Sequence, residues 1–425
     1  MVDKTILPKV LLYSTIYYQG ILTKSPKGDS AEIKVTKIPI YEPFPDKKLK
    51  IGYKTSEVKL RSEVSQRLLT KCYQMLMTIR ADVILELQLI SRVLGLIRVF
   101  SPFITFSDCE GGGETFEIKS SLKGFFKRTA YLTVSGQVDE ETATSRMLAP
   151  TYILGPSFRS DPSQTPFHAC EFWHYEPEVP IPPDRLDDSL GFLMDLEETI
   201  VTKLIQYVLS PGVVERIQLL HKHFKKVKVT IDQMKEFVKT PFARVSYTDS
   251  IKILIKKTEL FKVKPYWGMD MGKEHERYLC EQHFKKPTFV YGYPSSFKSF
   301  YMLQSDPFID KEITTKLVSP DEEYKLQDGY PLLQTCQGVD LLIPGVGELC
   351  GGSIREHRYE VLLRNMKKKG LDPEEYKEYL SLREEGTFPH GGFGLGFERF
   401  LMMVTSAPHI RDLTLFPRYY KCSGP

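Results

Sequence analysis

Near the C-terminus, Pro389-His-Gly-Gly-Phe-Gly-Leu-Gly-Phe-Glu-Arg-Phe-Leu-Met-Met-Val404 puts a glycine-dense strand directly before an apolar helix that carries Arg399. Glycines let a backbone approach a flat ligand closely, and a guanidinium beside them can stack on a base or hold a phosphate. A dinucleotide fingerprint shares the glycines, but it needs a following βαβ unit and an acidic residue about 20 positions on. The stretch from Thr405 to Pro425 is too short for such a unit. The strand must instead belong to a sheet built from earlier parts of the chain.

Those earlier parts supply it. From about 100 to 180, β-rich runs such as Ala130-Tyr-Leu-Thr-Val-Ser135 and Pro150-Thr-Tyr-Ile-Leu154 alternate with Gly, Pro and Ser turns, which predicts antiparallel strands. Apolar residues recur at helical spacing over 58 to 99, and 187 to 224 and 355 to 385 also read as helices, so the fold class is α+β, an antiparallel sheet flanked by helices. At the N-terminus, Ile33 and Val35 alternate with Glu32, Lys34 and Thr36 after the turn Ser25-Pro26-Lys27-Gly28, the signature of a small β-hairpin. Pro39, Pro43, Pro45 and the Lys47, Lys48, Lys50 run then read as a connector. Residues 303 to 335 mix Pro, Asp, Glu and Lys without a sustained period and read as less structured. The basic run at 221 to 228 reads first as a solvated helix face and second as an RNA phosphate contact.

Composition removes several classes. The seven cysteines are scattered and contain no C-x-x-C pair, so a zinc ribbon and a disulfide framework both fail and a reducing interior is expected. A net charge of +4 permits an anionic partner but is far from that of a dedicated nucleic-acid coat. No stretch approaches the roughly 18 apolar residues that span a bilayer, and the opening MVDKTILPKVLLYSTIYYQG lacks signal-peptide and transit-peptide layouts, so a soluble chain is expected.

Two further stretches carry chemistry. In Gly155 through Glu178, Arg159 near a strand end, a turn-rich loop, and His168, Glu171 and Phe172 on the returning strand combine a phosphate-binding fork with an aromatic platform for a purine. A plain hairpin with a charged rim remains the alternative. In Val339 through Arg355, Glu348 precedes paired glycines, where a carboxylate would share Mg²⁺ with substrate phosphates or, alternatively, pair with an Arg.

Together these stretches resemble the class II aminoacyl-tRNA synthetases, with the asparaginyl enzymes most similar. Arg159 through Glu178 resembles motif 2, Gly391 through Arg399 motif 3, and Arg98 through Phe106 motif 1. Further matches are Ser107 through Glu114, Leu132 through Gln137, Glu274 through Leu279, and Ile410-Arg-Asp412 with Phe416-Pro-Arg418. Val346-Gly-Glu-Leu, Arg355 through Tyr359 and the ending Phe416-Pro-Arg-Tyr look most like the mitochondrial form, which implies a mitochondrial location with the cytoplasm as alternative.

The resemblance implies a catalytic domain over 58–425, a linker over 46–57 and, over 1–45, a partial OB-fold left from an anticodon-binding barrel. It implies that Arg159 binds the α-phosphate of ATP, that Phe172 and Arg399 sandwich the adenine, that Asp161 and His168 touch the nucleotide, and that Glu348 holds Mg²⁺. Arg159, Arg399 and Glu348 form the catalytic set. Glu110, Ser135 and Gln137 would hold the α-amino end of the amino acid, and Arg355 with Glu171 would read its side chain. It implies a homodimer, with motif 1 at the interface, acting on ATP, asparagine and tRNA(Asn). Aspartyl relatives follow the Gln with a Lys three residues on. Here Val138-Asp139-Glu140-Glu141 follows Gln137, a negative surrounding that favours the neutral amide.

The chain departs from the family pattern at Asp161, where a Glu is usual, at Phe167, where an Arg usually precedes the His, and at Leu303, where relatives carry Arg. Two alternatives therefore stay open: a catalytic-domain paralogue that makes asparagine from aspartate, and a non-catalytic relative that binds RNA or protein.

Overall fold

The computed structural model describes residues 13–26, 28, 30–42, 49–51, 55–106, 115–122, 124–162, 165–319 and 325–422. They fall into two compact units that divide at Met75. The first holds a hairpin of β1 (Thr15–Lys24) and β2 (Ala31–Glu42), paired from Thr15↔Glu42 to Lys24↔Ala31 with a bulge near Gln19. The expected alternation is present, but Leu22, Ile33 and Ile40 are all exposed. Short helices α1 (Glu57–Ser62) and α2 (Val64–Arg67) follow, the first capped by Ser56, whose Oγ accepts the Lys59 N–H. The buried Arg67 guanidinium lies 4.7 Å from the Tyr73 ring centroid. This packing onto the start of α3 (Lys71–Val93) puts the division between the two compact units inside that helix.

The second unit is built on an eight-stranded sheet. Its first strand is β3 (Ile97–Arg98); β4 (Ile104–Thr105), β5 (Phe116–Ile118) and β6 (Ala130–Leu132) form a separate three-stranded sheet. After α4 (Gln137–Met147) come β7 (Thr151–Phe158) and β8 (Glu171–Pro180), then α5 (Ser189–Val208), α6 (Val213–Phe224) and α7 (Ile231–Phe237). Next are β9 (Ala243–Ser246), α8 (Tyr247–Ile255), α9 (Lys273–Arg277), β10 (Thr288–Tyr291) and a small hairpin, β11 (Leu326–Gln327) with β12 (Tyr330–Pro331). The chain closes with β13 (Gly338–Ile343), β14 (Gly347–Ile354), α10 (Tyr359–Lys368), α11 (Lys377–Glu384), β15 (His390–Gly396) and α12 (Phe397–Thr405).

The spatial order is β3-β7-β8-β15-β14-β13-β10-β9. The sheet is antiparallel from β7 through β10, as expected, but both edge strands, β3 and β9, pair in parallel with their neighbours. β9 and β10 are joined through α8 and α9, the crossover that parallel neighbours need. The helix expected over 187–224 is two helices. Pro211 has no N–H to continue the ladder of α5, and α6 restarts after Gly212.

Residues 303–319 and 325–335 are organised, contrary to the sequence reading. Ile313 and Leu333 are fully buried, and bridges join Trp267 to Val318 and Phe308 to Leu333. No period betrays this segment because its hydrogen bonds go singly to scattered partners.

Pleating decides which residues reach the site. Along β7 and β8, Tyr152, Leu154 and Tyr175 point to the face where Ser91 of α3 hydrogen-bonds Tyr175 Oη at 2.8 Å. Ser157, Phe172, His174, Glu176 and Glu178 point to the other face, which stays open as the floor of a cleft.

Candidate active site

Two adjoining cavities, about 160 and 270 Å³, lie on that open face and share Arg159, His174, Glu348 and Gly394 as a common wall. The first is lined by Asp161, Phe167, His168, Phe172 and Arg399, so the residues singled out in three distant stretches of sequence meet here. Arg159 lies just beyond β7, its N–H bonded to Cys170 O at 3.0 Å, and its guanidinium is 5.7 Å from the Phe172 ring centroid. Arg399 projects from the first turn of α12. That turn is pinned to β8 by Glu398, which accepts the Trp173 N–H at 2.9 Å and pairs with Arg80 at 2.7 Å. Arg399 Nη1 donates to Glu348 O at 2.9 Å and to Glu348 Oε2 at 3.2 Å.

The electrostatics suit an anion. Burial would raise the Glu348 carboxyl, but the charges of Arg399, Lys298, Lys273 and Arg159 outweigh it and hold it below the ordinary carboxylate value. Burial and the charges of Arg159 and Arg399 push His174 down to about 3, so its ring is neutral and Ser157 Oγ sits 3.0 Å from Nδ1. His168 is also lowered, by burial first and then by Arg399, Lys273 and Arg159, with Asp161 opposing at 3.9 Å. These rings remain neutral hydrogen-bonding groups beside fixed guanidinium charges.

The second cavity holds Ser135, Gln137 and Arg355 together with Glu140, Glu176 and Glu178. Ser135 Oγ donates to Glu176 Oε1, and the Gly136 N–H donates to Glu176 Oε2 at 3.2 Å. Arg355, 4 % exposed, grips Glu178 with contacts of 2.7 to 3.2 Å and donates to Ser353 Oγ at 2.9 Å. The glycines of β15 make room for this pair: a Cβ on Gly392 would collide with Glu178 Oε2 and crowd Arg355 Nη2. Beneath it, Glu141 is fully buried. It accepts from Arg383 Nη2 at 2.7 Å, from Tyr379 Oη at 2.9 Å and from Gln137 Nε2 at 2.9 Å, and His390 Nε2 is 3.2 Å away. A carboxylate only accepts, so the Gln137 amide turns its nitrogen down and leaves its carbonyl oxygen for the cavity.

Three expectations need correction or fall outside the description. Glu171 is an odd residue on β8 and faces away from the cleft, seven residues from Glu178. At about 3.3 Å per residue that is roughly 23 Å from Arg355, so Arg355 works with Glu178 and not with Glu171. The run Asp139-Glu140-Glu141 does not present three charges to the substrate. Asp139 bonds Ser101 Oγ at 3.0 Å, Glu141 is neutralised by Arg383, and burial raises Glu140 well above the ordinary range. The acidic wall comes instead from Glu176 and Glu178. Glu110 lies outside the described residues.

Sequence reasoning also missed Glu176, Glu178, Asp340 and Lys298. The first two had a signal, since Phe172, His174, Glu176 and Glu178 share one strand face at period two. Asp340 stands alone in the apolar β13, and Lys298 Nζ meets it at 2.8 Å. A Cβ on Gly351 would lie 3.2 Å from both Asp340 Oδ1 and Glu348 Oε1, so the two carboxylates converge across a glycine gap. Burial and the charge of Glu348 raise Asp340, with Lys298 opposing. Two hard carboxylate oxygens facing a cleft open to phosphates fit Mg²⁺, which keeps most of its shell for water and substrate. Lys273 and Glu276 border the same wall. Glu276 Oε2 accepts the Glu348 N–H at 3.3 Å, and burial followed by the Glu348 charge pushes its carboxyl up to about 7.

The sequence model of the family described as tRNA synthetases class II (D, K and N) matches residues 55–420. An asparagine–tRNA ligase of Oleidesulfovibrio alaskensis is 36% identical, with 95% of this chain and 84% of that protein covered. One of Bacillus cytotoxicus is 35% identical, over 97% and 85%. Among solved structures, asparaginyl-tRNA synthetase from Pyrococcus horikoshii complexed with asparaginyl-adenylate superposes with a TM-score of 0.81 at 30% identity, covering 98% of this chain and 86% of that one.

Proposed function

The chain belongs to the tRNA synthetases class II (D, K and N), and on that footing we propose that it activates asparagine with ATP and transfers it to tRNA(Asn). The observation that carries the reading is the shared wall of the two cavities: a phosphate-attracting compartment and an amide-sized polar compartment meet at Arg159 and Glu348.

In the first half-reaction the α-carboxylate of asparagine attacks the α-phosphorus of ATP, forming the adenylate and releasing pyrophosphate. Two anions must approach, so the barrier is largely electrostatic and orientational. Arg159, on the common wall, is placed to draw the α-phosphate towards the second compartment. Phe172 and Arg399 offer a ring face and a guanidinium plane for the adenine. Glu348 and Asp340 would hold Mg²⁺, which when bound offsets the charge of the phosphates. Gln137 and Glu176 offer acceptors to the substrate ammonium, while Arg355 donates to the side-chain carbonyl and Glu178 accepts from its amide nitrogen. An aspartate carboxylate in that place would meet Glu178 in repulsion. In the second half-reaction a ribose hydroxyl at the tRNA 3′ end attacks the activated carbonyl and AMP leaves. No protein nucleophile is needed.

ATP–pyrophosphate exchange tests the reading: exchange should depend on asparagine, and a preference for aspartate would overturn it. The protein acts as a homodimer. Leu85, Leu89 and Val93 form an exposed stripe on α3, continued by Phe100, Phe103 and Ile104 in the segment that resembles motif 1, and a second copy of this chain would cover them. Light scattering at micromolar concentration that returned a monomer would sink this. The mitochondrial assignment rests on the likeness of Val346–Leu349 and of the residues from Phe416, and subcellular fractionation checks it.

A further inference from the structure

Phe167 lines the nucleotide cavity at the position where the family resemblance expects an Arg. Its ring is flanked by two ammonium groups, Lys273 Nζ and Lys228 Nζ, each 5.1 Å from the centroid. Lys228 Nζ is buried without a hydrogen-bond partner, and among the described residues neither lysine closes an ion pair within 4.0 Å. Lys273 is half-buried at the start of α9, and its Nζ lies 3.8 Å from the place a Cβ on Gly347 would take, next to Glu348. Its charge reaches into the site. It adds to burial and Arg399 in lowering His168.

An aromatic ring attracts a cation without neutralising it, so the half-buried Lys273 stays available to an anion while the buried Lys228 adds its charge from behind the ring. The α-phosphate already has Arg159, and the adenine has Phe172 and Arg399. The charge around Phe167 lies in the same cavity, next to His168 and Glu348, and offers a place for the remainder of a triphosphate. We infer that Lys273, backed by Lys228 across the Phe167 ring, is a binding residue for the β- and γ-phosphates of ATP and hence for the departing pyrophosphate. The role rests on the ATP-dependent reading above. The guanidinium missing from position 167 is thus replaced by ammonium groups on either side of it, delivered by α9 and by the segment after α6.

Binding of ATP, pyrophosphate and AMP to the full chain tests this directly. Lys273→Met should weaken ATP and pyrophosphate about tenfold, the loss of one charge-assisted contact, while AMP and asparagine stay within about twofold. A structural role for Lys273 would weaken AMP as well. Phe167→Arg placed in the Lys273→Met background should recover part of the ATP affinity without changing AMP. Equal loss of ATP and AMP, no loss of either, or no recovery from Phe167→Arg would each overturn the inference. Exchange that runs with a different amino acid, yet loses ATP affinity in Lys273→Met, would sink the substrate assignment and leave Lys273 supported.

Discussion

At the nucleotide end of the cleft, among the described residues, two lysines flank an aromatic ring without closing an ion pair; at the amino-acid end each buried guanidinium is met by a carboxylate. Arg399 shares Glu348, the Arg159 guanidinium lies beside the Phe172 ring, and among the described residues Lys273 closes no ion pair within 4.0 Å. Arg355 and Arg383, by contrast, are locked to Glu178 and Glu141 at 2.7 Å. The difference follows the ligand. A triphosphate brings negative charge itself, so the two lysines can stand there without an acid partner. A neutral amide brings none, and charges buried around it must already be balanced. One end attracts and the other measures.

Breaking the balanced end should cost stability most. Arg355→Met leaves Glu178 buried and uncompensated, and the expected loss is about 3–5 kcal/mol by urea denaturation. An unchanged midpoint would show that the pair is not needed to hold the floor. The unbalanced end should behave oppositely. Arg159→Ala and Arg399→Ala should each lower asparagine-dependent exchange by at least about 10²- to 10³-fold while thermal unfolding stays near wild type. A large drop in melting temperature would erase the contrast.

A pH-dependent effect, spread over several pH units, sharpens it further. Glu197, on α5 beneath the sheet, is fully buried beside the Cys350 thiol, and burial pushes its carboxyl up to about 8. Below the unfolded value near 4.5 both states are protonated and nothing is lost. Between there and about 8 only the folded state keeps the proton, so stability falls as pH rises. Relative to Glu197→Gln, which does not titrate, the wild type should lose up to about 1.4 kcal/mol per pH unit across that window. Denaturation curves at pH 5 and 8 with the same difference between the two proteins would contradict this.

Much of the site was legible because its parts are local. Phe172 lies on β8 and Arg159 just beyond the end of its paired strand β7, and Gly391 through Arg399 carries both the close-approach strand and its following helix. Glu171 was misplaced for the same reason, since a list of nearby polar residues does not say which face of a strand each takes. The acid run after Gln137 misled because charge counts ignore burial: Glu140 and Glu141 look alike in sequence, yet one faces the cavity and the other is neutralised from α11.

The chain by itself determined its N-terminal hairpin, the strands around its motifs, several of its helices, the family it resembles and the residue types that a phosphate and a purine require, because period, turn chemistry and short motifs are properties of neighbours in sequence. Only the tertiary structure decided that Arg355 answers to Glu178, that Asp340 joins Glu348, and that two lysines flank Phe167. Those partners are separated by tens to hundreds of residues. Their pairing is set by which strand edge and which helix end the folded sheet brings within a few ångströms, and no local pattern records that.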